Sequence, residues 1–154
     1  RYGRNLKTTI KQLIKDVLEI LDAGGIKYSD DAVELVYETG NAETNYRHLE
    51  QIGGGPGISF WQIEIATLND NWDNYIVFRK KLIEVLYKIG YIEKDPTFSA
   101  LTNIAVAIAM CRIYYWRQPG SIPKTMSGRA EYWKKRYNTE QGAGTVTHYM
   151  EANE

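Results

Sequence analysis

Ile104-Ala105-Val106-Ala107-Ile108-Ala109-Met110-Cys111 is apolar on every side of a helix. A helix with no polar face belongs at the centre of a helical domain, covered all round by other elements. The run is too short to span a bilayer, so no membrane insertion is expected. Thr97 or Ser99 is the candidate cap for this helix, Asp95-Pro96 is a turn before it, and its pattern continues to about Trp116.

Amphipathic segments flank this centre. Ile10, Leu13, Ile14, Val17, Leu18 and Leu21 recur at three- and four-residue steps, which predicts a helix over 6–21 stopped by Gly24 and Gly25. Ser29 reads as the N-cap of a second helix, with Asp30 and Asp31 in a first turn that favours negative charge. That helix is expected to run to about Thr39 and to end at Gly40. A helix over 71–89 follows from the stripe Tyr75, Phe78, Leu82, Val85, Leu86 and Ile89, and further helices are expected over 128–137 and at the C-terminus, after a turn at Gly142 and Gly144. Between them, 40–57 is rich in glycine and reads as a loop, and 58–65 as a short strand or extended segment.

Composition sets the outer bounds. The chain has 154 residues, 44% apolar and 25% charged, which suits one globular domain. Nineteen basic residues balance nineteen acidic ones, so no general nucleic-acid binder is indicated. The basic, aromatic end Lys134-Lys135-Arg136 beside Tyr132, Trp133 and Tyr137 leaves nucleic-acid contact as a lesser reading, against that of a solvated helix face. The single cysteine, Cys111, allows no internal disulfide and no Cys-based zinc site; His48 and His148 lack metal-ligand spacing and read as surface residues. No signal peptide is visible. Arg1, not Met, comes first, so the chain is taken as trimmed or as part of a longer protein.

Long loops inside compact domains often carry function, so the chemistry is sought around 40–57. Glu38 is expected in the last turn of its helix, where the helix dipole raises a carboxyl pKa toward the range of a general acid. By position alone it also reads as a solvated glutamate. Glu64 sits among apolar residues beyond the loop, and by itself reads as the outward-facing residue of a strand. Two carboxylates flanking a glycosidic bond are the usual apparatus of glycoside cleavage. The cluster Gly53-Gly54-Gly55-Pro56-Gly57 lacks the lysine and hydroxyl of a phosphate loop, and that reading is rejected.

The order of motifs adds to this. A Glu at a helix end precedes Gly57-Ile58-Ser59-Phe60-Trp61-Gln62-Ile63-Glu64-Ile65-Ala66-Thr67; Asn103-Ile104 opens the apolar helix; Tyr132-Trp133-Lys134-Lys135-Arg136-Tyr137-Asn138 comes last, with Gly142-Ala143-Gly144-Thr145-Val146 behind it. The series resembles the lysozyme-like superfamily of goose-type lysozymes and soluble lytic transglycosylases, and some of its wording is similar to small tailed-bacteriophage proteins. The resemblance implies a mainly α, lysozyme-like (α+β) fold in one domain, 1–154, with 1–28 as N-terminal helix and connection and 29–146 as catalytic core. It implies cleavage of the bond between N-acetylmuramic acid and N-acetylglucosamine in peptidoglycan, with Glu38 as catalytic acid and Glu64 at the place of a water-positioning carboxylate. Gln62, Thr67, Tyr137 and Asn138 match the family's substrate-binding positions, and Trp61 and Tyr46 are expected to line the cleft. No cofactor and no metal is implied. The partners are peptidoglycan strands and other virion proteins; the setting is a phage virion acting at the host periplasm and cell wall. Ser59, Ile65 and Thr39 depart from the pattern, and the gap from Glu38 to Gln62 is longer than in many relatives. The alternative is a non-catalytic virion structural protein with the same fold.

Overall fold

The computed structural model describes residues 5–154. These form eight α-helices, a two-stranded hairpin and two short irregular helical turns. Helix α1 (Leu6–Asp22) begins at Asn5, whose side chain accepts a hydrogen bond from the Thr8 backbone N–H at 2.8 Å. It buries Ile10, Ile14, Val17, Leu18 and Leu21. Helix α2 (Asp30–Glu43) is capped by Ser29, as the sequence predicts. The central helix, α6 (Ile104–Trp116), buries every residue from Val106 to Ile113 and packs against α1 and α2. No single described helix is long and apolar enough to cross a membrane.

Five boundaries differ from the expected ones. The segment 58–65 is a hairpin, β1 (Gly57–Ile58) antiparallel to β2 (Ile63–Glu64), turned through positive φ at Ser59 and Gln62. The helix expected over 71–89 is three pieces: α3 (Ile65–Asn74), a 3-10 turn (Ile76–Phe78) and α4 (Lys80–Lys88). Neither Thr97 nor Ser99 caps α6. Asp95 caps a separate α5 (Pro96–Thr102), and the chain bends by 113° before α6. The Asn103 side chain caps α6 by accepting from Ala105 and Val106 N–H, while its amide nitrogen donates to Ile89 O. Helix α7 (Met126–Trp133) gives way to a π-turn (Lys134–Asn138) before α8 (Val146–Ala152).

The fifth difference is the most consequential. Helix α2 does not stop at Gly40 but continues one turn, to Glu43. Gly40 is there because Tyr46 folds back against the helix: a Cβ at Gly40 would lie 2.2 Å from the Tyr46 Oη. The Tyr46 hydroxyl donates to Tyr37 O at 2.8 Å, and its ring is stacked on Tyr37 and meets Phe60 and Trp61 edge-on. The ring cannot swing away from an added methyl. Gly40→Ala is therefore expected to lower stability by about 1–3 kcal/mol, the usual cost of overpacking, despite alanine's better helix propensity. Urea denaturation checks this, and an unchanged or higher midpoint would contradict the packing role.

Beside the main core, Ala42, Ala130, Trp133 and Tyr149 form a smaller cluster where α2, α7 and α8 meet. Helix α8 is integral to it: Asn153 on its C-terminal side donates to Glu38 O at 3.2 Å.

Candidate active site

Glu38 does not face a cleft. It is 2% exposed, and both carboxylate oxygens are occupied. Arg129 Nε donates to Oε1 at 2.7 Å and Arg129 Nη2 to Oε2 at 2.9 Å, while Tyr149 Oη donates to Oε1 at 2.8 Å. Such a fork is the partner set of an ionised carboxylate, and the pairing raises the Arg129 pKa further. Through these bonds Glu38, the residue expected to be the acid, ties α2 to α7 and α8.

Glu43, one turn further along α2, has the surroundings expected of Glu38. It lies half-buried in the wall of two depressions. The first, about 510 Å3, also contains Gln62, Glu64, Tyr137 and Asn138. The second, about 410 Å3, lies beside Trp133, Asn138 and His148. Glu43 and Asn138 belong to both, so the carboxylate stands where the two meet. Burial pushes its pKa from the ordinary 4.5 up to about 7, and a hydrogen bond from Trp133 Nε1 at 3.0 Å opposes that rise. The last turn of a helix adds to the disfavour of negative charge. Thr44 Oγ1, next in the chain, donates to Phe60 O at 2.7 Å and joins this helix end to the hairpin.

The hairpin supplies the opposite wall. Gln62 has φ +52, and its amide nitrogen donates to Ser59 O at 2.8 Å. Gly57 leaves room for Gln62, since a Cβ there would meet Gln62 Oε1 at 2.7 Å. Glu64 is exposed in the same depression, two residues on from Gln62. His48 and Gln51, from the loop, border it too, so His48 is part of the cleft although its spacing suggests nothing.

The π-turn delivers the third side. It places Tyr137 and Asn138 consecutively in the cleft, and π-turns of this kind often occur at functional sites. Tyr137 stacks on Tyr115 at 5.0 Å and its hydroxyl donates to Trp61 O. Lys134 Nζ donates to Asn138 Oδ1 at 2.8 Å and to Gly142 O at 3.0 Å. Gly142 closes tightly over Asn138: a Cβ there would approach the Asn138 side chain to 2.5 Å.

Three expected binding residues lie elsewhere. Trp61 is fully buried, with its Nε1 donating to Val36 O at 2.9 Å. Tyr46 is 3% exposed and packs on Gly40. Thr67 is half-buried in the first turn of α3 and does not line the depression of Glu43. Trp61 and Tyr46 support the site from below instead of touching its contents. A signal for Glu43 was present in the sequence. Glu43 stands five residues nearer to Gln62 than Glu38 does, and it too is followed by a threonine.

Among the described residues no group of His, Cys, Asp and Glu side chains is arranged to hold a metal ion. Compared with known proteins, the chain matches no family model, no curated protein and no solved structure.

Proposed function

We propose that this chain is a peptidoglycan-cleaving glycosidase of lysozyme-like fold in which Glu43 is the general acid. One observation carries the reading: a half-buried carboxyl whose pKa is raised to about 7 stands in an open cleft beside Gln62, Tyr137 and Asn138. Three of these residues come from the motifs that carry the family resemblance. Glu43 donates its proton to the glycosidic oxygen as the bond from the anomeric carbon breaks. Asn138 and Gln62 offer amide groups to the sugar, and Tyr137 a ring edge. Water activated by Glu64 then attacks the anomeric carbon, or the sugar's own 6-hydroxyl does so with its proton passing to Glu43. A phage virion acting at the host wall is the setting that the resemblance supplies.

Digestion of purified peptidoglycan followed by mass spectrometry tests the function. New reducing ends indicate water as the nucleophile, and 1,6-anhydro ends indicate the internal hydroxyl. Absence of both overturns the proposal and leaves a structural virion protein.

The pH profile tests the acid. Activity is expected to fall as pH rises through about 7, because Glu43 loses the proton it must donate. The Trp133 hydrogen bond stabilises the ionised form, so Trp133→Phe raises the Glu43 pKa and moves this limb to higher pH. A limb that stays in place in the variant would separate Glu43 from the rate.

A further inference from the structure

Two arginines are buried among the described residues, and they differ in one respect. Arg129 has its guanidinium fork filled by Glu38. Arg112, on α6, is 4% exposed, and its Nε has no hydrogen-bond partner. Its Nη2 donates to Lys27 O at 3.1 Å, and its guanidinium carbon lies 5.2 Å from the centre of the Trp116 ring. No carboxylate among the described residues forms an ion pair with it. Burial lowers its pKa to about 10, which leaves it cationic at neutral pH. A buried charge without a counter-ion is costly, and charges so placed are normally paired.

Arg112 lines a cavity of about 480 Å3 between the start of α2, the end of α6 and the loop over 118–124. This cavity is separate from the cleft: Asp31 in its wall and Glu43 are twelve residues apart on α2, about 18 Å along the axis. Lys27 and Lys124 line it as well. Asp31 is its acidic residue, and Lys124 Nζ holds it at 2.9 Å. Three cations against one carboxylate give the lining a net charge of +2. Trp116 and Tyr132 add flat apolar walls.

We propose that this cavity binds a small organic oxyanion, with its carboxylate or phosphate on the Arg112 guanidinium and its apolar body against Trp116 and Tyr132. The pairing matches guanidinium geometry and supplies the counter-charge that the protein itself withholds. The proposal stands apart from glycan cleavage and holds whether or not Glu43 is an acid.

The test is nitrogen-15 NMR of the whole chain, observing the Arg112 Nε–H and Trp116 Nε1–H signals. Benzoate and inorganic phosphate are added separately at constant ionic strength, with chloride as control. Saturable shifts of both signals are expected with at least one probe. Stronger binding of benzoate identifies a carboxylate on an apolar body; stronger binding of phosphate identifies a phosphate ligand. Arg112→Met should weaken binding at least about tenfold while thermal stability without ligand stays equal or rises. Arg112→Lys, which keeps the charge and loses the fork, serves the same purpose if the methionine variant fails to fold. The proposal is overturned if neither probe gives saturable shifts, if chloride reproduces them, or if binding persists undiminished in the folded variant.

Discussion

Glu43→Gln is expected to stay folded and to clear peptidoglycan about 10²–10⁴-fold more slowly than the wild type, the usual contribution of a positioned general acid. The amide has the shape of the carboxyl and can still accept the Trp133 hydrogen bond, but it has no acidic proton. Stability should not suffer. A carboxyl whose folded pKa lies above its unfolded value contributes stability that is fully present below about 4.5 and is lost as pH rises through about 7. The neutral amide escapes that loss, so the variant should melt at the same temperature as the wild type or higher near pH 8. Turbidity clearing of cell walls and thermal unfolding measure both effects. Wild-type clearing by the folded variant would remove Glu43 from the chemistry.

Glu38→Gln should do the opposite. It leaves the Arg129 guanidinium buried without its counter-charge, and breaking a buried pair on one side costs about 3–5 kcal/mol. Tyr149 also loses its charged acceptor. The urea midpoint should fall steeply, while activity per folded molecule stays near that of the wild type. Replacing both partners, Glu38→Leu with Arg129→Met, should recover much of the loss, because no unpaired charge remains. A Glu38→Gln protein of unchanged stability and no activity would reverse the roles of the two glutamates.

The two variants bear on the same question from opposite sides. Glu38 and Glu43 lie on one helix, and each is followed by a threonine. Only Glu43 stands in the last turn of that helix. What separates them is what packs against each. Arg129 on α7 and Tyr149 on α8 enclose Glu38, whereas Glu43 meets the indole of Trp133 and an open depression. Those partners lie about ninety residues or more away along the chain and arrive only when α7 and α8 dock.

Local signals determined much of the scaffold by themselves. The three- and four-residue spacing of α1, the Ser29 cap of α2 and the all-round apolarity of α6 are written in short stretches, because each element's burial follows from its own periodicity. Gln62, Glu64, Tyr137 and Asn138 were also legible as candidates, through the order of motifs, and folding brings them to one depression. Tertiary structure decided the rest. Gly40 reads as a helix stop, but the ring of Tyr46 needs its missing side chain, and α2 gains the turn that carries Glu43. Trp61 and Tyr46 read as cleft aromatics, but the core takes them, since their polar tips find backbone carbonyls there. A residue type states what a side chain is able to do; which neighbour reaches it first is set by contacts between distant segments, and that choice made one glutamate a buried ion pair and left the other facing the cleft.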